Sequence, residues 1–341
     1  MTAHEGQAAA ETVAAPRSRS TPRGPIAGLV GRRLAAGIFT LCLVSIVIFA
    51  ATQVLPGNAA YAVLGQHATP GRVATLERQL HLDRPTVVQY WDWIGGVIRG
   101  DFGESFANGE PVGALVGPRI ANSAVLVLLA GSIGTVLGVS LGMVAAARRD
   151  GLLDSALSVS ALAITALPEF VVAIALVMLF ASLVLHVLPA VSLVPAGASA
   201  WAHPSSLVLP VVTLVVVVFP YIFRMTRGAM IEALESDYVE MANLKGTPHW
   251  RVMLVHALPN SIAPTIQVTG LNLLYLAGGI VVVEYVFAYP GIGAGLVDAV
   301  SARDIPTIQS ITLVLAAFYI VVNIVTDVCV LLATPRRRLA S

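Results

Sequence analysis

Long apolar runs alternate with short polar segments along most of this chain. Six of the runs have at least the roughly 20 residues that a helix needs to cross the hydrocarbon core of a bilayer. They cover residues 34–54, 122–146, 156–186, 207–226, 263–287 and 308–332. The pattern therefore predicts an all-α, polytopic membrane protein with six transmembrane helices.

Composition supports the same class. The 341 residues are 57% hydrophobic and 11% charged, with a mean hydropathy of +0.83. Too little polar surface remains to cover a soluble protein of this size. Cys42 and Cys329 both fall inside predicted spans, so neither indicates a disulfide framework or a metal cluster. We expect no cofactor and no metal site.

The placement of Lys and Arg orients the spans, because cytoplasmic loops retain positive charge. One side of the predicted topology carries fourteen of the 20 basic residues: Arg17, Arg19, Arg23, Arg32, Arg33, Arg148, Arg149, Arg224, Arg227, Lys245, Arg251, Arg336, Arg337 and Arg338. On the other side, the basic residues of the long 56–120 segment are mixed with acidic ones. Both termini, and the loop between spans four and five, are therefore expected to be cytoplasmic.

The segments around the spans have distinct compositions. Residues 1–31 are rich in Ala, Pro and Arg and lack periodicity, which predicts a disordered cytoplasmic tail. Residues 32–55 are interpreted as a first transmembrane helix that is kept as a signal anchor, since no cleavage site follows a short apolar core. Residues 121–333 hold the other five spans as a permease core, and residues 334–341 form a second cytoplasmic tail.

Residues 56–120 form a predicted extracytoplasmic segment. Apolar positions after Thr69-Pro70-Gly71 predict one amphipathic helix, and Pro85 to Ile98 predict another. The second contains Tyr90, Trp91 and Trp93, which suit an interfacial aromatic belt. The segment could cover the outer mouth of a pore, or it could be a packed connector on the membrane surface, and the sequence favours neither.

A polar island lies between spans four and five, within residues 229–262. Ile231 to Leu244 have apolar residues at helical spacing with acidic residues between them, and Pro248 to Leu258 predict a second amphipathic helix. Gly246 lies between the two, where a left-handed turn carries no side-chain penalty. The island is therefore predicted to form an exposed helix-turn-helix.

This island resembles the EAA loop, E-A-A-x3-G-x9-I-x-L-P, of the membrane subunits of binding-protein-dependent ABC importers. Met241 replaces the second motif residue, and His256 replaces the Ile, as in the dipeptide/oligopeptide/nickel branch. In that family the loop docks into a groove on a separate ATPase subunit. The resemblance implies an ATPase-coupling loop made by Glu240, Ala242, Gly246, His256, Leu258 and Pro259.

Other segments between residues 29 and 338 look like the B-type permease subunit of these importers. They include Leu55-Pro56-Gly57, Gly100-Asp101-Phe102-Gly103-Glu104-Ser105, the run from Glu284 to Gly293, and Arg303-Asp304. The resemblance implies a type I ABC importer permease fold and transport of di- or oligopeptides, with nickel or another small solute as the alternative. Implied partners are a homologous C-type permease subunit, two ABC ATPase subunits, an extracytoplasmic solute-binding protein and the lipid bilayer, with no nucleic acid.

The sequence contains no site for ATP. A Walker A loop requires G-x-x-x-x-G-K-[ST], and the only lysine, Lys245, precedes a glycine instead of following one. We therefore expect a non-catalytic subunit whose energy comes from a partner.

Two glycine-containing patterns invite other interpretations. Gly138-Val-Ser140-Leu-Gly142 fits a nucleophile-elbow pattern, but it lies inside an apolar helix instead of a strand-to-helix turn. With Gly134, it better predicts two overlapping small-xxx-small helix contacts. The run Gly291 to Gly295 is predicted to be a turn. An intramembrane hydrolase would need a base beside Ser140, and His186, near an outer boundary, is the one histidine close to membrane depth.

Three acidic residues fall inside predicted spans, where ionisable groups cost about 2.5–3.5 kcal/mol each. Glu169 follows Pro168 in mid-span, which predicts a kinked helix with a pore-facing carboxylate. Glu284 and Asp327 lie nearer to span ends, and structural pairing is favoured there over substrate contact. A proton-coupled secondary transporter could use the three as a relay, but such proteins usually show an internal repeat, and the hydropathy pattern shows none.

Overall fold

A computed structural model describes residues 25–54, 69–79, 83–192, 194–195 and 200–333. These residues are mostly helical, and their only bridge of strand type pairs Glu104 with Pro111. The helices are α1 (Pro25–Val54), α2 (Pro70–Gln79), α3 (Thr86–Arg99), α4 (Val112–Ala147), α5 (Leu152–Thr165), α6 (Glu169–Ser182), α7 (Pro204–Leu234), α8 (Asp237–Leu244), α9 (His249–Val286), α10 (Ile292–Ala302) and α11 (Ile305–Ala333).

Five of these helices, α1, α4, α7, α9 and α11, are long and apolar enough to cross a membrane. A sixth span is available if α5 and α6 are counted together, although they meet at an angle of 103°. The all-α fold with up to six spans is therefore confirmed. The bend predicted at Pro168 is present, but it divides the run 156–186 into two separate helices instead of kinking one continuous helix. Pro168 has no N–H to donate and disfavours helical backbone at Leu167, so α5 ends and α6 begins anew.

Several element boundaries differ from those predicted. α1 begins at Pro25, seven residues before the predicted start of the first span, so the end of the predicted tail is helical. α4 begins at Val112, inside the predicted extracytoplasmic segment. The two helices predicted within that segment are confirmed as α2 and α3. The predictions for residues 1–24, for Leu55-Pro56-Gly57 and for 334–341 lie outside the described residues.

α7 is the centre of the membrane domain. It packs against α4, α5, α6 and α9 and is by far the most buried of the long helices. The largest cluster of buried apolar side chains joins it to α4 and α9 and includes Leu126, Leu214, Ile222, Leu276 and Ile280. Since lipid is as apolar as these side chains, close packing instead of water exclusion must hold the helices together.

The predicted small-residue contact is confirmed where α4 crosses α7. A Cβ atom at Gly138 would lie 2.7 Å from Cβ of Ile222, and one at Gly142 would lie 2.9 Å from the carbonyl oxygen of Phe223. At Gly134 the nearest atom would be 3.6 Å away, on Val218, which is ordinary contact. The backbones therefore approach each other most closely at Gly138 and Gly142.

The first and last membrane helices pack against each other. A Cβ atom at Gly37 of α1 would lie 2.6 Å from Cγ2 of Ile320 in α11. Nε of Arg33 lies 2.9 Å from Oδ2 of Asp327. These contacts attach α1 to a helix that begins about 250 residues later in the chain.

α3 packs on the C-terminal end of α1 through aromatic rings. Phe49 meets Tyr90 edge-on and stacks on Trp93, with centroid distances of 5.4 and 6.0 Å. The Tyr90 hydroxyl also lies 2.9 Å from Oγ of Ser45. Of the three aromatic residues, only Trp91, which is 66% exposed, fits the interpretation as an aromatic belt. Tyr90 and Trp93 instead pack α3 against α1.

Candidate functional site

The polar island forms a compact hairpin of helices, here called the coupling hairpin, over residues 235–259. Its first helix, α8, is separate from α7, with the break at Glu235-Ser236. The prediction of one helix over Ile231 to Leu244 is therefore wrong. Ser236 adopts extended backbone at the N-cap of α8, which redirects the chain, and Asp237 and Glu240 lie in the first turn, where acidic groups favour the helix dipole.

The turn after α8 depends on a glycine. Gly246 has φ +76°, in the left-handed region that glycine alone adopts without strain. Its N–H donates to the carbonyl of Asn243, and the next N–H, of Thr247, donates to the carbonyl of Ala242. The predicted positive φ at Gly246 is confirmed, and it ends α8 in the manner of a C-cap.

The second helix of the hairpin runs directly into the membrane. Instead of a separate helix over Pro248 to Leu258, α9 continues from His249 to Val286, with a π-helical stretch over Val252–Ala257. The helix predicted over Pro248 to Leu258 and the span predicted over 263–287 are therefore one continuous helix. Pro259 lacks an N–H, and the wider π-helical turns just before it allow the helix to continue past the proline.

Apolar packing fixes the hairpin to the membrane helices. Val239 and Ala242 of α8 are buried with Val252 of α9, and Leu234 at the end of α7 packs against them. Leu258 packs in a neighbouring cluster with Met230 and Ala257. Ala242 and Leu258 therefore lie on the inner side of the hairpin, where they position it.

The outer side of the hairpin is both apolar and acidic. Glu240 and Pro259 are exposed, and His256 is half-buried. Large apolar side chains on this side are also exposed: Met241, Leu244, Trp250, Leu254 and Val255. Several exposed large apolar side chains among charged ones, here Glu240, Lys245 and Arg251, are typical of a protein contact surface.

Two ion pairs connect this region to the loop between α4 and α5. Arg149 pairs with Glu235 at the exposed start of the hairpin, and this hydrogen bond raises the pKa of the Arg149 guanidinium. Deeper in, Nε and Nη2 of Arg227 in α7 donate to the two carboxylate oxygens of Asp154 in α5, at 2.5 and 2.7 Å. Asp154 is almost fully buried. Asp154 lies just before the predicted third span, which began at residue 156, and was therefore not among the acidic residues predicted to lie in the membrane.

Glu169 is the first residue of α6, at the bend between α5 and α6. Its Oε2 is buried and has no hydrogen-bond partner. The oxygen lies against α9, where a Cβ atom at Gly279 would be 2.5 Å from it. Tyr275 lies four residues before Gly279, on the same face of α9, and its ring is 6.4 Å from that of Tyr221 in α7.

The other two predicted acidic residues have partners. Glu284 is fully buried and accepts hydrogen bonds from Oγ of Ser123, at 2.5 Å, and from the N–H groups of Gly293 and Ala294, at 2.7 and 3.1 Å. These N–H groups belong to the first turn of α10, so Gly291 to Gly295 begin a helix, and the prediction of a turn there is wrong. Asp327 pairs with Arg33. Glu284 and Asp327 thus each have partners of their own, and neither is brought to Glu169.

Comparison with known proteins identifies the family. Residues 138–339 match the binding-protein-dependent transport system inner membrane component model, and residues 27–127 match the N-terminal model for membrane components of these systems. A putative peptide transport system permease protein of Brucella abortus (strain 2308) is 35% identical over 310 residues, covering 91% of this chain and 98% of that protein. The glutathione transport system permease protein GsiC of Salmonella typhimurium is 34% identical over 297 residues, covering 87% and 94%. The chain therefore belongs to the inner membrane component family of binding-protein-dependent transport systems.

Proposed function

We propose that this chain is the B-type permease subunit of an ABC importer and that it carries di- or oligopeptides across the membrane by alternating access. The peptide and glutathione permeases among its relatives support this substrate class. Nickel, or another small solute, is the alternative within the family. The observation that carries the proposal is the coupling hairpin, an exposed apolar and acidic surface fixed to the two central membrane helices.

The hairpin is suited to receive force from a separate ATPase. This chain has one lysine, which does not stand in a Walker A loop, so ATP must be hydrolysed elsewhere. Met241, Leu244 and Trp250 offer the apolar contact surface, and Glu240 offers a carboxylate for a charge-assisted hydrogen bond. In this proposal Gly246, Ala242 and Leu258 shape and anchor the hairpin, while His256 and Pro259 complete its second helix.

Movement of the hairpin would be transmitted directly into the membrane. Its buried cluster joins the end of α7 to the start of α9, which lie on either side of α8 in the chain. The Arg149–Glu235 pair joins the hairpin to the loop between α4 and α5, and the Arg227–Asp154 pair joins α7 to α5. ATP binding would draw two such hairpins together and open the path outward, and hydrolysis would reset it, so that the two states differ in their contacts with solute.

The complete importer would contain several other chains. We propose a homologous C-type permease, two ABC ATPase subunits and an extracytoplasmic solute-binding protein as partners, in the cell membrane. The charge distribution supports an arrangement with both termini and the coupling hairpin in the cytoplasm. The exposed apolar faces of the membrane helices are then divided between lipid and the second permease.

Replacing Glu240 with Lys tests the docking surface. The reversed charge removes a charge-assisted contact and introduces an unfavourable cation, so Glu240→Lys should release the ATPase from purified complexes or leave its hydrolysis without transport. Glu104→Lys is the matched control, because Glu104 is also exposed but lies outside the hairpin, beside Pro111 in the extracytoplasmic segment. Normal co-purification and coupled hydrolysis in Glu240→Lys would contradict the proposed docking.

Substrate and energy source are tested together in proteoliposomes that contain the whole importer. We expect uptake of a labelled dipeptide that requires ATP and persists when a proton ionophore is added. Uptake of Ni²⁺ but not of peptides would favour the alternative substrate. Uptake that the ionophore abolishes while ATP remains would instead support a proton-coupled transporter.

A further inference from the structure

We propose that Glu169, Tyr275 and Tyr221 form a site within the membrane that binds the protonated amino group of the transported peptide. Gly279 provides the space for the carboxylate. This inference rests on the proposed peptide transport and specifies where, and by which group, the peptide is held during passage. Its four residues come from three helices, α6, α7 and α9, which pack against one another.

The carboxylate lacks the partners that a stable structural role would require. Oε2 of Glu169 is buried and accepts no hydrogen bond, and no described basic residue forms a salt bridge with Glu169. An unsatisfied buried acceptor is costly, especially when it belongs to an ionisable group. The other membrane carboxylates differ in this respect, because Asp154, Glu284 and Asp327 all have donors within 3 Å.

The two tyrosines near Glu169 lie deep in the predicted membrane spans. Residue 275 is at the centre of the 263–287 apolar run, and the ring of Tyr221 lies 6.4 Å from that of Tyr275. Both tyrosines keep more than a third of their surface exposed in this chain. Ionisable and hydroxyl groups at this depth face water or protein instead of lipid. The exposed side of the cluster therefore faces a translocation path or a partner that borders it.

The combination of groups matches an alkylammonium ion. An ammonium group has up to three N–H donors, so one of them can bind the carboxylate of Glu169, a residue that is only half-buried. The faces of the two tyrosine rings attract a cation, and their hydroxyls can accept a further hydrogen bond. The α-amino group of a peptide, which is largely protonated near neutral pH, presents this chemistry.

Gly279 determines where the carboxylate lies. A Cβ atom there would be 2.5 Å from Oε2, so an alanine would push the carboxylate away from α9. Gly278 provides a matched control, because a Cβ atom on it would approach the hydroxyl of Tyr319, at 3.3 Å, and not Glu169. The two adjacent glycines thus separate an effect on the carboxylate from a general effect on α9.

The test measures protection of a cysteine by peptides added directly to the purified importer. Cys42 and Cys329 are first replaced with Ser, and Leu271→Cys supplies the reporter, since Leu271 is exposed and lies one turn from Tyr275 on α9. Labelling by an impermeant thiol reagent is followed in the ATP-locked and nucleotide-free states. The peptide is a dipeptide with a free amino terminus, and its N-acetylated form is compared with it.

The concentration that protects half of the cysteine at 271 from labelling should be about tenfold lower for the free dipeptide than for the acetylated form, as one charge-assisted contact would give. Glu169→Gln and Gly279→Ala should abolish this difference, whereas Glu169→Asp and Gly278→Ala should keep at least part of it. Equal protection by the two peptides in the unaltered protein would overturn the site, as would a preserved difference in Glu169→Gln. If both peptides are taken up and only the preference is missing, the site alone is wrong. If neither peptide protects the cysteine and neither is taken up, both the site and the proposed function are wrong.

Discussion

Asp154 and Arg227 form a two-point ion pair between α5 and α7, with N–O distances of 2.5 and 2.7 Å. The carboxylate also accepts hydrogen bonds from the N–H of Asp150, at 3.1 Å, and from Oγ of Ser158, at 3.4 Å. The pair therefore fixes the loop between α4 and α5 as well as the start of α5. Breaking one side of such a pair leaves a buried charge without compensation.

The first prediction concerns this pair. Arg227→Ala should lower the stability of the detergent-solubilised importer by about 2 kcal/mol, because Asp154 is then buried without its partner. The double variant Asp154→Ala/Arg227→Ala should recover part of that loss. Thermal unfolding of the purified complex measures both, and Arg149→Ala, which removes only the exposed pairs with Glu235 and Asp150, should change the midpoint little. A double variant less stable than Arg227→Ala would contradict this account.

A second prediction uses the crossing of α4 and α7. Gly138→Ala should destabilise the protein by about 1–3 kcal/mol, because the added methyl group meets Ile222 at a distance that forces the helices apart. Gly134→Ala should be neutral or stabilising, since its methyl group would find ordinary contact and alanine favours the helix. Unfolding in increasing denaturant compares the two. Equal effects at both positions would show that the close approach does not limit packing.

The third prediction separates a structural carboxylate from the proposed substrate contact. Glu284→Gln replaces an acceptor of three hydrogen bonds with a group that has only one acceptor oxygen, so it should lower stability by about 2 kcal/mol. The yield of assembled importer, together with its unfolding midpoint, is the measurement. Asp298→Asn, at a largely exposed position in the same region, serves as control. Normal assembly combined with slow transport would instead indicate that Glu284 acts in the path.

A fourth prediction concerns the turn of the coupling hairpin. Gly246→Val should cost about 1 kcal/mol or more, because a β-branched residue is strained at φ +76°, and it should misdirect the start of α9. Transport should fall while insertion into the membrane persists. Gly228→Val is the control, since Gly228 lies in α7 with ordinary helical φ and open space around it. Normal uptake rates by an assembled Gly246→Val importer would refute this role of the turn.

What could be predicted from the sequence was set by local rules. Apolar runs are long enough to identify the spans, and the position of Gly246 between two helical patterns indicates its backbone conformation. The close helix contact could also be predicted, because Gly134, Gly138 and Gly142 repeat at four-residue spacing on one helix face. In each of these cases a residue and its near neighbours in the chain carry the information.

The remaining features depend on contacts between distant segments. Pro168 predicts a kink, but the 103° angle between α5 and α6 also depends on how both helices pack against α7. The partner of Asp154 is 73 residues away, and nothing near Asp154 identifies Arg227. The continuation of α9 past Pro259 likewise depends on the packing of Val252 and Ala257 against α7 and α8, which overrides the local preference for a break.

The contact between α1 and α11 affects how the protein is made. α1 is synthesised before α11, which contains Ile320 and Asp327, the residues that contact Gly37 and Arg33. Until α11 is made, α1 must therefore remain in the bilayer without this partner, and its high apolarity suits it to do so. Truncation before residue 320 should leave α1 inserted in the bilayer but without its contact to α11. In a chain that contains residue 320, cysteines placed at 37 and 320 should form a cross-link.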